Sequence, residues 1–250
     1  MLRSRIIPCL LMRDLGLVKT QKFGSSKYVG DPLNAVKIFN EKNVDELMFL
    51  DIDASAKQLP PNFAFLKMLA SESRMPLCYG GGISTAKQAA QTIALGFEKV
   101  SISSAALFRP DLIKEVADAV GSQSVVVTVD VRKNSFLPGY SIFTRNGRDK
   151  SQVNLLEFCQ QVVALGAGEV VVNSIDRDGE MNGYDLALAK SVRNVITSPM
   201  SVLGGAGSQE DMQALIDAVG VVGAAAGSMF VFRGIYRAVL ISYSRPERLR

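Results

Sequence analysis

The sequence predicts an α/β protein, a single (β/α)8 barrel of the TIM type built from two duplicated half-barrels. Three observations predict it. The chain has 250 residues, 48% of them apolar and 21% charged, the length that one such barrel occupies. Short β-branched apolar runs alternate with longer amphipathic stretches, the pattern of parallel strands joined by crossover helices. The two halves also echo each other. Glu46–Asp53 matches Glu169–Asp176 at an offset of 123 residues, while Gly80-Gly81 matches Gly204-Gly205, and Ser103-Ser104 matches Gly227-Ser228, at 124. Half-barrels of about 1–120 and 121–240, followed by a basic tail at 244–250, explain that repeat within one domain of 1–250.

Taken in order, the expected strands are Arg5–Leu10, Glu46–Asp51, Pro76–Tyr79, Lys99–Ile102, Ser124–Asp130, Glu169–Ser174, Met200–Leu203 and Gly220–Ala225. Eight is the number that closes a barrel. Asp31-Pro32 supplies an N-cap and a first-turn proline for the first helix. Ser84 and Asp111 open two more, and Ser208 precedes Gln209–Val219. Arg132–Lys150 is polar and contains Pro138-Gly139 and Asn146-Gly147, which predicts a hairpin excursion after the fifth strand.

Composition removes several function classes. Lys plus Arg number 28 against 24 Asp plus Glu, a formal +4, and three of the cations, Arg245, Arg248 and Arg250, lie in the tail. That is too weak a footprint for nucleic acid. The chain has no histidine, so it holds no Ser-His-Asp or Cys-His nucleophile, no His-ligated zinc and no histidine base. Cys9, Cys78 and Cys159 fall in apolar runs and are expected as buried free thiols of a reducing cytosol. The apolar run Ile6–Leu11 is shorter than a signal-peptide core, and no stretch approaches a membrane span. A cytoplasmic protein without membrane, metal or cofactor is expected.

The chemistry gathers at strand ends. Gly81 and Gly82 follow the third strand, Gly204 and Gly205 the seventh, Ser103-Ser104 the fourth and Gly227-Ser228 the eighth. In a parallel barrel these are loops of the active face, where glycine lets backbone N–H groups approach an anion. Two such cradles predict a phosphorylated small molecule with two phosphate ends. Asp51 and Asp53, Asp130, and Asp176 and Asp178 end the second, fifth and sixth strands. Without histidine, these carboxylates are the leading proton-transfer candidates. Asp130, ending an apolar run, is the strongest, whereas Asp53 and Asp178 fit a helix cap or an acceptor of loop N–H bonds equally well. Arg5, Glu46, Lys99 and Glu169 stand at the starts of strands one, two, four and six. They are either a salt-bridged plug across the other mouth or four unrelated surface charges.

These residues resemble a known family. IIPCL at Ile6–Leu10, Asp14, Lys19, Gly30–Pro32, DELMFLDI, Gly80–Gly82, KVSISSAA, VVVTVD, SIDRDG, Gly183–Asp185 and GGAG are similar, in register from residue 1 to about 240, to the cyclase subunit of imidazole glycerol phosphate synthase. The resemblance implies a barrel that forms a heterodimer with a class I, HisH-like glutaminase. That partner's ammonia passes through the barrel to a bis-phosphorylated aminoimidazole ribonucleotide, giving imidazole glycerol phosphate and an aminoimidazole carboxamide ribotide. It makes Arg5, Glu46, Lys99 and Glu169 the ammonia gate, Asp130 one of two catalytic aspartates, and Lys19 a loop residue reaching the substrate. Departures gather at the substrate pole. Leu11 stands where the family has its other catalytic aspartate. Lys22 and Ser103 each replace an asparagine, Asn173 a threonine and Leu203 a serine. Three functions follow: a specialised paralogue keeping the glutaminase dock and supplying ammonia to a separate sugar amidotransferase for surface polysaccharide, the histidine-pathway cyclase itself, or a non-catalytic scaffold that activates a glutaminase.

Overall fold

The computed structural model describes residues 3–135 and 137–243. The expected tail at 244–250 lies outside them. Eight parallel strands form the barrel: β1 (Arg5–Arg13), β2 (Leu47–Asp51), β3 (Leu77–Gly80), β4 (Lys99–Ile102), β5 (Val125–Lys133), β6 (Glu169–Ser174), β7 (Met200–Leu203) and β8 (Gly223–Ala226). Each pairs with the next, and β8 closes on β1 through Arg5↔Gly223 to Pro8↔Ala226. The last strand starts later than expected because Gly220, at φ 75°, terminates the preceding helix.

The two-residue period of a strand divides the apolar side chains into two cores. From β1, Ile6, Leu10 and Met12 pack outward beneath the helices, while Ile7, Cys9 and Leu11 point inward. The inward set joins Met48, Cys78, Val126, Val171, Leu203 and Ala225 in an apolar column inside the barrel. All three cysteines are buried and free. No helix among the described residues is long and apolar enough to cross a membrane.

Helix starts follow the expected chemistry with two shifts. Asp31 caps Pro32–Lys42 by accepting from the Asn34 N–H at 2.9 Å, and Ser208 caps Gln209–Val219 in a capping box with Asp211. At the third helix, Ala86–Ala94, Thr85 is the cap instead of Ser84, because Gln88 returns its side chain to the Thr85 N–H. Asp111 is the first residue inside its helix and Pro110 takes the cap position.

The excursion after β5 is a hairpin of Tyr140–Thr144 and Asp149–Asn154, turned through Arg145, Asn146 and Gly147 at positive φ. A second excursion was not expected. β1 runs on to Arg13, turns through Asp14 and Leu15 at φ 48° and 62°, and returns as Gly16–Lys19, which pairs with Lys27–Gly30. Lys19 therefore ends a strand and is not a loop residue.

Candidate functional site at the two mouths of the barrel

The C-terminal ends of the strands enclose a cavity. Of the expected residues, Lys19, Asp51, Gly81, Gly82, Ser103, Ser104, Asp130, Asp178, Gly204, Gly205, Gly227 and Ser228 line it. Asp176 does not: its carboxylate turns to the hairpin, accepting from the Lys133 N–H at 2.8 Å, with Arg132 3.6 Å away. Gly81 sits at φ 128° with Asp51 so close that an added Cβ would meet its backbone oxygen at 2.7 Å. Only glycine fits there, which brings the chain after β3 against the end of β2. Ser103 and Gly227 begin two short helices, Ser104–Phe108 and Ser228–Val231, with no side-chain cap. Their first N–H groups lack a side-chain acceptor, as an anion cradle requires.

The carboxylates differ in how they are held. Asp51 accepts the N–H groups of Asp53 and Ala54, both at 3.1 Å, and Asp178 accepts from Thr20 Oγ1 at 2.6 Å and the Phe23 N–H at 3.2 Å. Both thus order loops as well as facing the cavity. Burial raises each of them, and these hydrogen bonds pull back only part of the way. Asp53 instead pairs with Arg13 and Lys57 at the rim. Asp130 has one hydrogen bond, accepted at Oδ1 from Asn173 Nδ2 at 2.8 Å. Burial pushes its carboxyl up to about 6, Asn173 working downward and nearby Asp178 upward. A group poised there exchanges protons readily near neutral pH.

Leucines and an isoleucine make up a further, apolar part of the cavity wall. Leu11 and Leu203 are buried against one another's cluster at 9% and 7% exposure, with Leu50 and Ile52 beside them. Lys19 is buried, and its ammonium donates to the Cys9 carbonyl at 2.6 Å. Burial lowers its pKa, with Cys9 and Asp178 opposing. Lys22 lies off the cavity, 3.6 Å from Glu180. Arg145 and Asn146 reach the cavity from the β5 hairpin, a contribution that the turn signal at Asn146-Gly147 marked without indicating its direction. The Ser101–Thr128 hydroxyl pair, 2.6 Å apart on the inner wall, carried no distinguishing sequence signal.

At the opposite mouth the four charges form a closed ring and are not unrelated. Arg5 Nη1 pairs with Glu46 and Nη2 with Glu169 at 2.7 Å; Lys99 Nζ meets Glu46 at 2.7 Å and Glu169 at 2.8 Å. Strand starts share a pole in a parallel barrel, which is why charges far apart in sequence meet. For Glu169, burial works upward, but Arg5 and Lys99 outweigh it and hold the carboxyl below its ordinary value. For Glu46 burial prevails, and its pKa is raised. Ser201, on β7, joins the ring by donating its hydroxyl to Glu169 Oε1. A serine breaking the apolar run Met200–Leu203 was the available signal for it. Among the described residues there is no cluster of His, Cys, Asp and Glu able to hold a metal.

A parallel barrel with an anion-ready cavity at one mouth and an ion ring across the other defines a class: a (β/α)8 barrel with two chemically distinct ends. Residues 5–236 match the family model "Histidine biosynthesis protein". A Vibrio vulnificus protein named "Putative imidazole glycerol phosphate synthase subunit hisF3" is 54% identical over 247 residues, covering 99% of this chain and 95% of that protein. A Pseudomonas aeruginosa relative named as subunit hisF2 is 50% identical, covering 100% and 99%. The Streptococcus sanguinis imidazole glycerol phosphate synthase subunit HisF is 36% identical over 230 residues, covering 92% and 91%. The chain belongs to the family of HisF-type imidazole glycerol phosphate synthase subunits.

Proposed function

We propose that this chain is a specialised synthase subunit of a glutamine-dependent amidotransferase. It forms a heterodimer with a HisH-like class I glutaminase, takes ammonia through the ring and the barrel, and supplies a separate sugar amidotransferase of surface-polysaccharide (lipopolysaccharide) biosynthesis in the cytoplasm. One observation carries this reading: the ring of Arg5, Glu46, Lys99 and Glu169 is complete, whereas the cavity that holds Asp130 is also lined by Leu11 and Leu203, which can move no proton. The apolar column between them, Ile7, Met48, Cys78, Val126 and Val171, suits passage of neutral ammonia over ammonium, because burying an unpaired charge is costly. The numbered relatives hisF2 and hisF3 support membership of a paralogous branch. The Gly81/Gly82 and Gly204/Gly205 turns, with Ser103-Ser104 and Gly227-Ser228, would hold a phosphorylated ligand as substrate or effector. The duplicated half-barrel accords with hairpins that follow both β1 and β5, beginning at Gly16 and Tyr140.

The test is a steady-state assay with the bis-phosphorylated aminoimidazole ribonucleotide and an ammonium salt. Turnover at about 1 to 10³ per second, ordinary for an enzyme, overturns the specialised reading and establishes the histidine-pathway cyclase. That second reading has its own support in Asp130, whose carboxyl at about 6 suits general acid–base work alone. If it holds, Asp130→Asn lowers turnover by about 10²- to 10⁴-fold. Calorimetry with phosphorylated compounds separates both from a pure scaffold, which would bind none in the cavity.

A further inference from the structure

The ring is not symmetric. Glu169 receives three groups: Arg5 Nη2 and the Ser201 hydroxyl at Oε1, and Lys99 at Oε2. Glu46 receives two, both on Oε2, and its buried Oε1 has no hydrogen-bond partner. The difference is built into the sheet. Ser201 lies on β7 opposite Gly223 of β8, which lies opposite Arg5 of β1. A Cβ on Gly223 would collide with Ser201 Oγ and stand 2.9 Å from Ile7 Cδ1. Fully buried Ser201 thus has space for its hydroxyl, next to Glu169, because residue 223 has no side chain.

We propose that Ser201 is a positioning residue of the ring, pinning Glu169 so that Glu46 is the carboxylate that moves when the mouth opens. This rests on the ring being the ammonia passage. An orphaned buried carboxylate oxygen is held only by the two cations on its neighbouring oxygen, so rotating Glu46 outward surrenders fewer bonds than rotating Glu169 and lets Oε1 meet water or an incoming ammonia N–H. Swinging Glu169 breaks three contacts and strands a buried hydroxyl.

The test uses the full chain with ¹³C-labelled glutamate carboxyls, followed by NMR across pH, and the complex with its glutaminase. In Ser201→Ala, the Glu169 resonance is expected to titrate at higher pH than in the wild type while Glu46 barely changes; Ser201→Thr, which keeps a hydroxyl, restores the wild-type curve. An unchanged Glu169 curve in Ser201→Ala, or Glu46 moving as far as Glu169, overturns the pin. In the complex, Glu46→Gln is expected to change the rate of glutamine-derived ammonia release at least threefold, and Ser201→Ala to change it in the same direction by less. If the NMR shift appears but neither variant alters ammonia release, the pin stands as a packing feature and the passage reading fails with the proposal. Should Gly223→Ala fold, it is expected to displace the Ser201 hydroxyl and reproduce the Ser201→Ala titration.

Discussion

The two mouths of this barrel hold the same kinds of ionisable groups and treat them oppositely. At the N-terminal mouth two acids and two bases each touch both opposite partners, so mutual attraction outweighs burial at Glu169 and offsets part of it at Glu46. At the C-terminal mouth Asp130 is buried with one neutral donor and, among the described residues, no cationic partner. A compensated set is a structural part; an uncompensated acid is a destabilised group of the kind found where a ligand uses it. Breaking the ring should therefore hurt folding most, and neutralising Asp130 should help it.

The largest effect is expected for Glu169→Ala, which strips one partner from each of Arg5 and Lys99 and leaves the Ser201 hydroxyl without its acceptor. Removing one member of a buried ionic set costs about 3–5 kcal/mol, to be read as a shift of the urea midpoint. A loss under about 1 kcal/mol would mean that the ring is effectively solvated and the contrast between the mouths is false. Glu46→Ala is expected to cost less in folding and more in coupling to the proposed glutaminase partner.

Next is the pH dependence contributed by Asp130. Its folded pKa, about 6 against an ordinary 3.8, means that the native state holds this proton more tightly than the unfolded chain. Stability from this group is therefore lost as pH rises from about 4 through 6, by about 3 kcal/mol in all. Asp130→Asn should remove that slope: the difference in unfolding free energy, variant minus wild type, should grow by most of that amount between pH 4 and 7.5. A flat difference would place Asp130 in a solvated or paired setting, like the ring.

The same contrast explains what the sequence disclosed. Strands were legible because short apolar runs such as Ile6 to Leu10 alternate with amphipathic stretches, whereas the ring was legible only as one of two readings, since charges at strand starts share a pole but need not pair. The hairpin after β1 was not, since its turn residues Asp14 and Leu15 carry no glycine or asparagine-glycine signal although both adopt positive φ. Asp176 and Asp178 look alike in SIDRDG, and only the three-residue 3₁₀ turn Ile175–Arg177 decides that the second faces the cavity. Ser201 depends on an empty Cβ position at Gly223, two strands away from Glu169 in space and invisible to local pattern. Positions fixed by period were readable; those fixed by who stands opposite whom were not.

Leu11→Asp probes whether the C-terminal mouth lacks only the second catalytic aspartate that the family resemblance implies at this position. At 9% exposure, a carboxylate there should cost about 1–3 kcal/mol. If Leu11 alone removed the cyclase chemistry, turnover with the aminoimidazole ribonucleotide should rise by about 10²-fold or more. A folded variant with no gain would show that Leu11 is not the sole position that withholds this chemistry.

The smallest effect belongs to the rim of the same mouth. Arg13 holds Asp53 through Nε and Nη2 and Ser26 through Nη1 at 2.6 Å, but its side chain is 33% exposed. Burial raises Asp53, and the Arg13 and Lys57 hydrogen bonds and charges outweigh it, so its pKa is lowered. The sign is the reverse of Asp130: this pair stabilises above the ordinary carboxylate range and the benefit is lost as pH falls through the folded value. With solvent screening, Arg13→Ala should cost about 1 kcal/mol at pH 7 and nothing resolvable in acid. A cost of about 3 kcal/mol or more would make the rim as tightly bound as the ring, and the loose pole would shrink to Asp130 and the leucines beside it.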